Sequence, residues 1–234
     1  MRDFFVPINS HEMLQPSTLK FLKELKKNNH KPWFDANRSV YELAKKDYET
    51  FIQRIIDDLA KSDETIHGLR AKDCMFRINR DVRFSKDKSP YKSNFGAFIN
   101  KGGKKSNLAG YYFHLEPGSS FVGGGLWMPM PKELAQVRQE IDYCFSEFKK
   151  IIGSAGFKKS YGEIHQGDDD KLQRVPKGYD AENPAAEFLK FKSFTAMKAI
   201  TDKELTDPDM EKKSVSALKA LQPLIQFINR SIKD

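Results

Sequence analysis

The sequence has little cysteine and no long hydrophobic run. Its two cysteines, Cys74 and Cys144, lie far apart in the chain, which argues against a disulfide framework and against a cysteine-based metal site. No segment approaches the roughly 18 consecutive apolar residues that a membrane-spanning helix needs. The first residues, 1–7, turn polar too quickly for a signal peptide. We therefore expect a cytoplasmic protein that does not associate with a membrane.

The sequence also lacks the motifs by which many enzymes are recognised. It contains no H-E-x-x-H motif, no P-loop, no nucleophile elbow and no zinc-binding pattern. The three consecutive aspartates at 168–170 do not have the spacing of a calcium-binding loop. We therefore predict neither a bound metal nor a cofactor. Four of the histidines are scattered without ligand spacing: His11, His30, His67 and His165.

The positive charge is confined to one segment. The whole chain has 40 Lys and Arg against 32 Asp and Glu, which gives a formal net charge of +8. Residues 70–105 contain 11 Lys and Arg but only three acidic residues, Asp73, Asp81 and Asp87, and this difference accounts for the entire excess. Charge concentrated in this way attracts anions more strongly than the same charge spread evenly. We therefore expect an anionic partner, either a small molecule or a nucleic acid.

Apolar periodicity predicts an α+β fold. Hydrophobic residues make up 39% of the chain, so a substantial core is expected. Helical spacing of apolar residues alternates with short segments in which every second residue is apolar, and these segments follow one another as in an antiparallel β-meander. We expect a single domain over residues 1–234, with the meander in the middle of the chain and long N-terminal, central and C-terminal helices packed on it.

The predicted element boundaries follow from the same patterns. Asp35 is the expected N-cap of the second helix, and Pro223 should kink or divide the last one. Helices are predicted over residues 16–29, 35–61, 131–152 and 183–191, and from residue 207 to near the C-terminus. Strands are predicted over residues 74–79, 95–99, 111–115, 120–126 and 194–200, with further short strands within 157–179 around the acidic turn 168–170.

The most distinctive segment runs from Arg77 to Tyr91 and reads R-x-x-R-D-x-R-F-x-x-D-K-x-x-Y. It resembles the motif of the domain of unknown function 2461 family, which occurs in bacteria and fungi. Similar features recur at 110–112, 116–118, 123–125 and 176–179, so the resemblance covers most of the chain. It implies a bacterial cytoplasmic protein and no particular activity. The matching residues are Arg77, Arg80, Asp81, Arg83, Phe84, Asp87, Lys88 and Tyr91.

The same segment favours an anion-binding site on chemical grounds. Arginine presents its N–H donors in planar forks that suit phosphate and carboxylate oxygens. If residues 74–79 form a strand, alternation places Arg77 and Arg83 on one face of the sheet. Asp81 and Asp87 would orient the arginines through paired hydrogen bonds. The residues predicted to bind the anion are Arg77, Arg80, Arg83, Lys88, Tyr91 and Lys92.

Two alternatives remain open. Arginine and aspartate that alternate around a turn are also typical of a buried ion-pair network that only stabilises the fold, as in a structural or interaction module. Alternatively, the basic segment could follow a nucleic-acid backbone while aromatic side chains stack on bases. The residues available for that role are Lys86, Lys88, Lys92, Lys101, Lys104 and Lys105, with Phe95, Tyr111 and Tyr112 for stacking.

A predicted hairpin contributes a second group of polar side chains. Tyr112, His114 and Glu116 alternate with apolar residues and therefore share one face. A histidine beside a carboxylate can act as a general acid or base, so His114 is the candidate catalytic residue, with Tyr112 and Glu116 supporting it. The triple glycine 123–125 indicates close strand packing or a bulge rather than a phosphate cradle. The sequence decides neither whether the protein is an enzyme nor its oligomeric state.

Overall fold

A computed structural model describes residues 13–165 and 171–232 of the chain. This part contains ten α-helices and four strands, which confirms the predicted α+β class. The helices are α1 Pro16–Lys27, α2 Lys31–Ala36, α3 Arg38–Ala60, α4 Ala71–Cys74, α5 Pro131–Tyr143, α6 Phe145–Ile152, α7 Ala155–Tyr161, α8 Ala186–Leu189, α9 Asp202–Leu205 and α10 Met210–Ser231. The strands are β1 Phe95–Ile99, β2 Gly110–Leu115, β3 Ser120–Leu126 and β4 Phe194–Ile200.

The four strands form one sheet in the order β1-β2-β3-β4, and every pair of neighbours is antiparallel. The predicted meander is therefore confirmed. Opposite residues of an antiparallel pair share a face, so the register divides the strand residues into two sets. The side chains of Phe98 and Tyr112 belong to one face, because these residues lie opposite each other. Those of Ala97 and Phe113 belong to the other face.

One face of the sheet packs against α3 and α10. The ring of Phe113 in β2 lies 5.1 Å from that of Phe51 in α3, and both side chains are fully buried. The buried hydroxyl of Tyr48, also in α3, donates a hydrogen bond of 2.9 Å to the backbone oxygen of Phe113. Each buried side chain of this size stabilises the fold by about 1.5 to 3 kcal/mol. The helices on this face therefore hold the sheet in place.

The opposite face of the sheet, which we call the open face, has few large side chains near its centre. In the register, Gly96 lies opposite His114, Gly123 opposite Tyr112, and Gly125 opposite both Gly110 and Thr195. Glycine leaves no side chain above the sheet at these positions. As a result, the open face is hollow between its larger residues.

The triple glycine lies within β3 and serves close strand packing, as the sequence indicated. A Cβ atom on Gly123, Gly124 or Gly125 would overlap backbone carbonyl oxygens of the neighbouring strands β2 and β4. Gly124 also has φ of +151°, a backbone conformation that other residues rarely adopt. Any side chain here would push the strands apart. The glycines are therefore required by the sheet.

The strand predicted over residues 74–79 is wrong. Cys74 ends the short helix α4, and the following residues pair only through isolated bridges, Met75 with Ala97 and Asn79 with Tyr91. The apolar alternation was misleading because the buried residues are Cys74, Met75 and Ile78, whereas Phe76 is 39% exposed. The segment therefore crosses the edge of β1 and continues as a loop. Strict alternation cannot be used to place Arg77 and Arg83 on one face.

Several helix boundaries also differ from the prediction. Asp35 lies inside α2 and is not an N-cap. The long helix α3 instead begins at Arg38, after Asn37, whose side-chain amide donates to the backbone oxygen of Trp33. The helix predicted over 131–152 is interrupted at Cys144, which has non-helical φ and ψ. Pro223 does not divide α10, which continues as one α-helix.

The region 157–179 was predicted to form short strands, but its first residues belong to the helix α7. In the second half of this region, the pairing that the structure shows is an isolated bridge between Lys171 and Phe191. The acidic turn 168–170 lies outside the described residues. The strands predicted over 95–99, 120–126 and 194–200 are confirmed with identical bounds.

Candidate functional site

A cavity of about 720 Å³ lies on the open face of the sheet. Its floor consists of side chains from all four strands, and its rim is formed by the segment that follows β3 and by Phe76. The lining is mainly apolar. Its apolar members include Phe76, Phe98, Leu108, Phe121, Leu126, Trp127, Met128, Met130 and Met197. Its polar members include Tyr112, His114, Glu133, His165 and Thr195.

A chain of hydrogen-bonded side chains runs along the floor of the cavity. The hydroxyl oxygen of Tyr112 lies 3.1 Å from Nδ1 of His114. Nε2 of His114 lies 3.2 Å from Oε2 of Glu116. The other carboxylate oxygen of Glu116 accepts hydrogen bonds from Ser93 Oγ at 3.1 Å and from Lys26 Nζ at 3.4 Å. Tyr112, His114 and Glu116 therefore form a continuous relay, which begins at the cavity and ends at the N-terminal helix α1.

The partners of His114 define its tautomer. Tyr112 and Asn94 can both donate to Nδ1, which Asn94 Nδ2 approaches to 3.4 Å. The carboxylate of Glu116 can only accept, so Nε2 carries the proton. Burial lowers the pKa of His114 and outweighs the opposing effect of Glu116. The lowered pKa favours the neutral ring. The imidazole can therefore accept a proton at Nδ1.

The two groups that flank His114 also have shifted pKa values. Burial raises the pKa of Tyr112 to about 12, so the phenol is protonated at neutral pH. Burial also acts to raise the pKa of Glu116, but hydrogen bonds from His114, Ser93 and Lys26 outweigh it, and the pKa is lowered. The relay thus consists of a neutral phenol, a neutral imidazole and a carboxylate.

An aromatic ring holds the imidazole in position. Phe121, in the neighbouring strand β3, stacks on the ring of His114 with a centroid distance of 4.8 Å and an interplanar angle of 13°. The ring of Tyr112 lies 5.6 Å from the same phenylalanine. Gly96 makes room for the tyrosine hydroxyl, since a Cβ atom there would lie only 2.5 Å from it. These contacts orient Tyr112 and His114 toward each other.

Lys92, a cation of the basic segment, lies at the edge of the cavity, and Arg77 directly follows the cavity residue Phe76 in the chain. Nζ of Lys92 is 5.5 Å from the ring centroid of Phe76, which lines the cavity and contacts Tyr112. Burial lowers the pKa of Lys92, and the positive charge of Arg77 lowers it further, as it also lowers the pKa of Asp81. Lys92 and Arg77 therefore influence each other electrostatically. Neither forms an ion pair with any carboxylate in the described ranges. They are called the rim cations below.

The other two arginines of the motif are paired within their own loop. Arg80 forms an ion pair with Asp87, and its guanidinium also donates to the backbone oxygen of Ser89 at 3.2 Å. Arg83 contacts both oxygens of Asp81, at 2.9 and 2.7 Å. Hydrogen bonds from Ser89 and Arg80 lower the pKa of the Asp87 carboxylate to about 2. These pairs lie on an exposed loop and do not form a buried network.

The remaining two predicted anion-binding residues are engaged by the protein. Lys88 is exposed, and its Nζ donates to the backbone oxygen of Val82 at 3.0 Å. Tyr91 is buried, with its ring stacked on Phe34 at 4.0 Å. Its backbone exchanges two hydrogen bonds with the side chain of Asn29. Both residues therefore have structural contacts in the protein.

The cavity also contains polar atoms without a protein partner. Oγ1 of Thr195 is buried and forms no hydrogen bond with any residue in 13–165 or 171–232. Oε2 of Glu133, at the start of α5, is likewise buried without a partner among these residues. A buried polar atom without a partner is costly, so both atoms are candidates for contact with a bound molecule.

The apolar rim of the cavity is unusually exposed. Trp127, Met128 and Met130 follow β3 and are 62%, 56% and 65% exposed. Met128 has φ of +42°, which is uncommon for a residue other than glycine. Backbone strain of this kind concentrates at ligand-binding sites. The segment therefore presents apolar side chains beside the cavity opening.

Sequence reasoning missed most of the cavity lining. Alternation in β4 predicts that Thr195 and Met197 share a face, but nothing in the sequence shows that this face joins that of Tyr112. Phe76 lies in the segment 74–79 that was predicted to be a strand, so its place at the cavity was not expected. The signal that was available is the set of glycines on the open face, which leaves a depression in the sheet.

The described structure thus defines an α+β protein with a β-meander, one face of which carries an apolar cavity with a polar relay. The sequence model of the family described as conserved hypothetical protein, DUF2461, matches residues 17–227. The chain belongs to this family, as its motif suggested. Searches of curated proteins and of solved structures returned no match.

Two further features bear on the class of site. None of the helices in 13–165 and 171–232 is both long enough and apolar enough to cross a membrane. Within the same ranges, the side chains of His, Cys, Asp and Glu do not gather in a group of three that could hold a metal ion.

Proposed function

We propose that the cavity on the open face binds a small amphipathic anion, whose apolar part lies against the sheet and whose anionic group pairs with the rim cations Arg77 and Lys92. The observation that carries this proposal is their position. Neither forms an ion pair among the described residues, Lys92 contacts the ring of Phe76 at the cavity edge, and Arg77 directly follows Phe76 in the chain. Cations without an internal partner are free to pair with an anionic group, and the planar fork of arginine suits phosphate and carboxylate oxygens.

The size and lining of the cavity favour a small molecule. A volume of about 720 Å³ lies within the range of roughly 300 to 1,000 Å³ that is typical of small-molecule sites. Phe76, Phe121 and Met197 offer an apolar surface on which a ring or an alkyl chain can rest. Thr195 and Glu133 add unpartnered polar atoms that can orient the ligand.

The anion site is narrower than the motif suggested. Arg80 and Arg83 are already paired with Asp87 and Asp81, so their forks are not free for a ligand without a rearrangement of the loop. Arg77 and Lys92 need no such change. Each contact with a partly exposed cation contributes about 0.5 to 1 kcal/mol. Both together should therefore change the affinity roughly 5- to 30-fold.

The test compares three probes by isothermal titration calorimetry. 1-Naphthyl phosphate has both an apolar body and an anionic group, 1-naphthol has only the body, and inorganic phosphate has only the charge. We expect the first to bind more tightly than either of the others, with a negative heat-capacity change from apolar burial. Equal affinity for 1-naphthol and 1-naphthyl phosphate would show that the cations take no part.

Variants separate the rim cations from the rest of the basic segment. Arg77→Gln together with Lys92→Gln should weaken 1-naphthyl phosphate binding roughly 5- to 30-fold and leave 1-naphthol binding unchanged. The matched control is Lys86→Gln with Lys88→Gln, which removes the same charge from the exposed loop. If the control lowers the affinity as much as the rim variant, the effect is long-range and the proposal is wrong.

One observation favours nucleic-acid binding as a second candidate. Phe84 is 96% exposed at the tip of the 81–90 loop, with the guanidinium of Arg83 at 5.9 Å from its ring centroid and Lys86 and Lys88 nearby in sequence. An exposed ring among cations suits stacking on an unpaired base. This candidate requires salt-dependent binding of a labelled single-stranded oligonucleotide that Phe84→Ala weakens and Tyr143→Ala, another exposed aromatic, does not.

We also propose a cytoplasmic location. Cys74 and Cys144 are both free thiols, and the first is fully buried. Reduced cysteines are the rule in the cytoplasm and the exception in secreted proteins. Fractionation of cells that express the tagged protein tests this location directly.

A further inference from the structure

We propose that the cavity is a catalytic site in which the hydroxyl oxygen of Tyr112 removes a proton from the bound molecule and His114 and Glu116 take up the charge. The relay is a feature of the protein itself. Only the class of substrate rests on the function proposed above. That substrate is an amphipathic anion, and the proton comes from its ionisable hydroxyl, from its acidic C–H or from a water bound beside it.

The direction of proton transfer follows from the hydrogen bonds. Nδ1 of His114 has no proton and faces the Tyr112 hydroxyl at 3.1 Å, and Nε2–H donates to Glu116. When the tyrosine oxygen takes a proton from the substrate, its own proton moves to Nδ1. The histidine becomes an imidazolium beside the glutamate carboxylate, and the substrate gains one negative charge. The proton count is unchanged, and reversal of both transfers restores the resting state.

The atom that meets the substrate is the tyrosine oxygen rather than a histidine nitrogen. Both nitrogens of His114 already face protein groups, and Phe121 covers one side of the ring. The oxygen of Tyr112 donates to His114 but accepts no hydrogen bond from any side chain or backbone group that the structure describes. Its remaining lone pairs are available to a ligand, since Tyr112 lines the cavity.

Glu116 offsets part of the cost that burial imposes on a charged His114. Glu116 lies on one side of His114 and is held by Ser93 in the segment before β1 and by Lys26 in α1. On the other side, the neutral amide of Asn94 approaches Nδ1. The cation that touches the relay, Lys26, contacts the far oxygen of the glutamate and not the imidazole. An imidazolium at His114 therefore faces a carboxylate directly.

An electrophilic probe tests whether His114 activates the tyrosine. Phenylmethanesulfonyl fluoride is uncharged, and its sulfur reacts with a phenol oxygen: an O–S bond forms, the S–F bond breaks, fluoride leaves and the phenolic proton goes to the base. Labelling of individual tyrosines is followed by peptide mass spectrometry. The internal reference is Tyr143, which is 75% exposed. Burial and a pKa of about 12 would make an unassisted Tyr112 the slower of the two.

We expect labelling of Tyr112 to be at least roughly 10-fold faster than that of Tyr143, because an adjacent general base commonly gives about 100-fold or more. His114→Gln should remove this advantage. Gly96→Ala keeps all three relay residues but should also remove the faster labelling of Tyr112, because the new methyl group displaces the hydroxyl of Tyr112. Glu116→Gln should reduce the rate roughly 3- to 10-fold. Tyr143→Phe should leave the rate at Tyr112 unchanged.

Two outcomes would overturn the relay: labelling of Tyr112 no faster than that of Tyr143, or unchanged labelling in both His114→Gln and Gly96→Ala. Thermal unfolding of each variant shows that it is folded, and having two independent variants keeps the test valid if one is not. The probe is neutral, so it does not depend on the rim cations. Fast labelling of Tyr112 without binding of 1-naphthyl phosphate would reject the proposed function alone, and the converse would reject the relay alone.

Discussion

Substitution of Gly124 by alanine should disrupt the centre of the sheet. The added Cβ would overlap the carbonyl oxygen of Gly110, well inside the 3.0 Å that real Cβ atoms respect, and that oxygen belongs to a backbone fixed in β2. The φ of +151° adds strain of about 1 to 3 kcal/mol. Relief of the overlap requires β2 and β3 to separate, with loss of at least one ladder hydrogen bond, which costs about 1 kcal/mol or more. We expect a total loss of about 2 to 4 kcal/mol.

Chemical denaturation followed by circular dichroism measures this loss as a change in the free energy of unfolding. The matched control is Gly118→Ala. That glycine also has a positive φ, +81°, but a Cβ there would meet no atom within 4 Å. The control should lose only the strain of about 1 kcal/mol. A loss below about 1 kcal/mol for Gly124→Ala, or equal losses for both variants, would refute the close packing of the strands.

Three further outcomes follow from single residues. Tyr48→Phe removes a buried hydrogen bond to the backbone carbonyl of Phe113 and should lower the free energy of unfolding by about 0.5 to 1.5 kcal/mol, as measured by denaturant titration. The pKa of His114 is lower in the folded protein than in the unfolded chain, where it is about 6.5. Just below pH 6.5, the unfolded chain therefore binds more protons than the folded protein. Stability should therefore rise with pH in that window, and His114→Gln should flatten the slope seen in thermal unfolding. Burial raises the pKa of Cys74 to about 12, so iodoacetamide should alkylate Cys144 first, as judged by mass spectrometry.

The meander was predictable because each strand has one buried face. That geometry imposes a period of two on the sequence, and it gave correct bounds for β1, β3 and β4. The same alternation placed Tyr112 and His114 on a common face before any contact was known. Local pattern was sufficient for β1, β2 and β3, because these neighbouring strands follow each other along the chain.

The parts that were missed depend on contacts between distant segments. Phe76 lies two residues from Cys74 and from Ile78, the spacing of apolar residues in a strand. Its environment is nevertheless set by the edge of β1 and by Lys92. The pairing of Arg80 with Asp87 depends on how the loop folds back, which charge counting cannot show. Thr195 reaches the cavity only because β4 pairs with β3 across a long sequence separation. Charge excess alone could not tell paired from unpaired cations.

A crystal structure of the protein with 1-naphthyl phosphate tests the central claim most directly. We expect the naphthyl ring on the open face of the sheet, against Phe121, with the phosphate within ion-pair distance of Arg77 and Lys92. The same structure would show which ligand atom lies nearest the hydroxyl of Tyr112. A ligand bound instead at the loop around Phe84, or an empty cavity at a concentration that saturates binding in solution, would contradict the account.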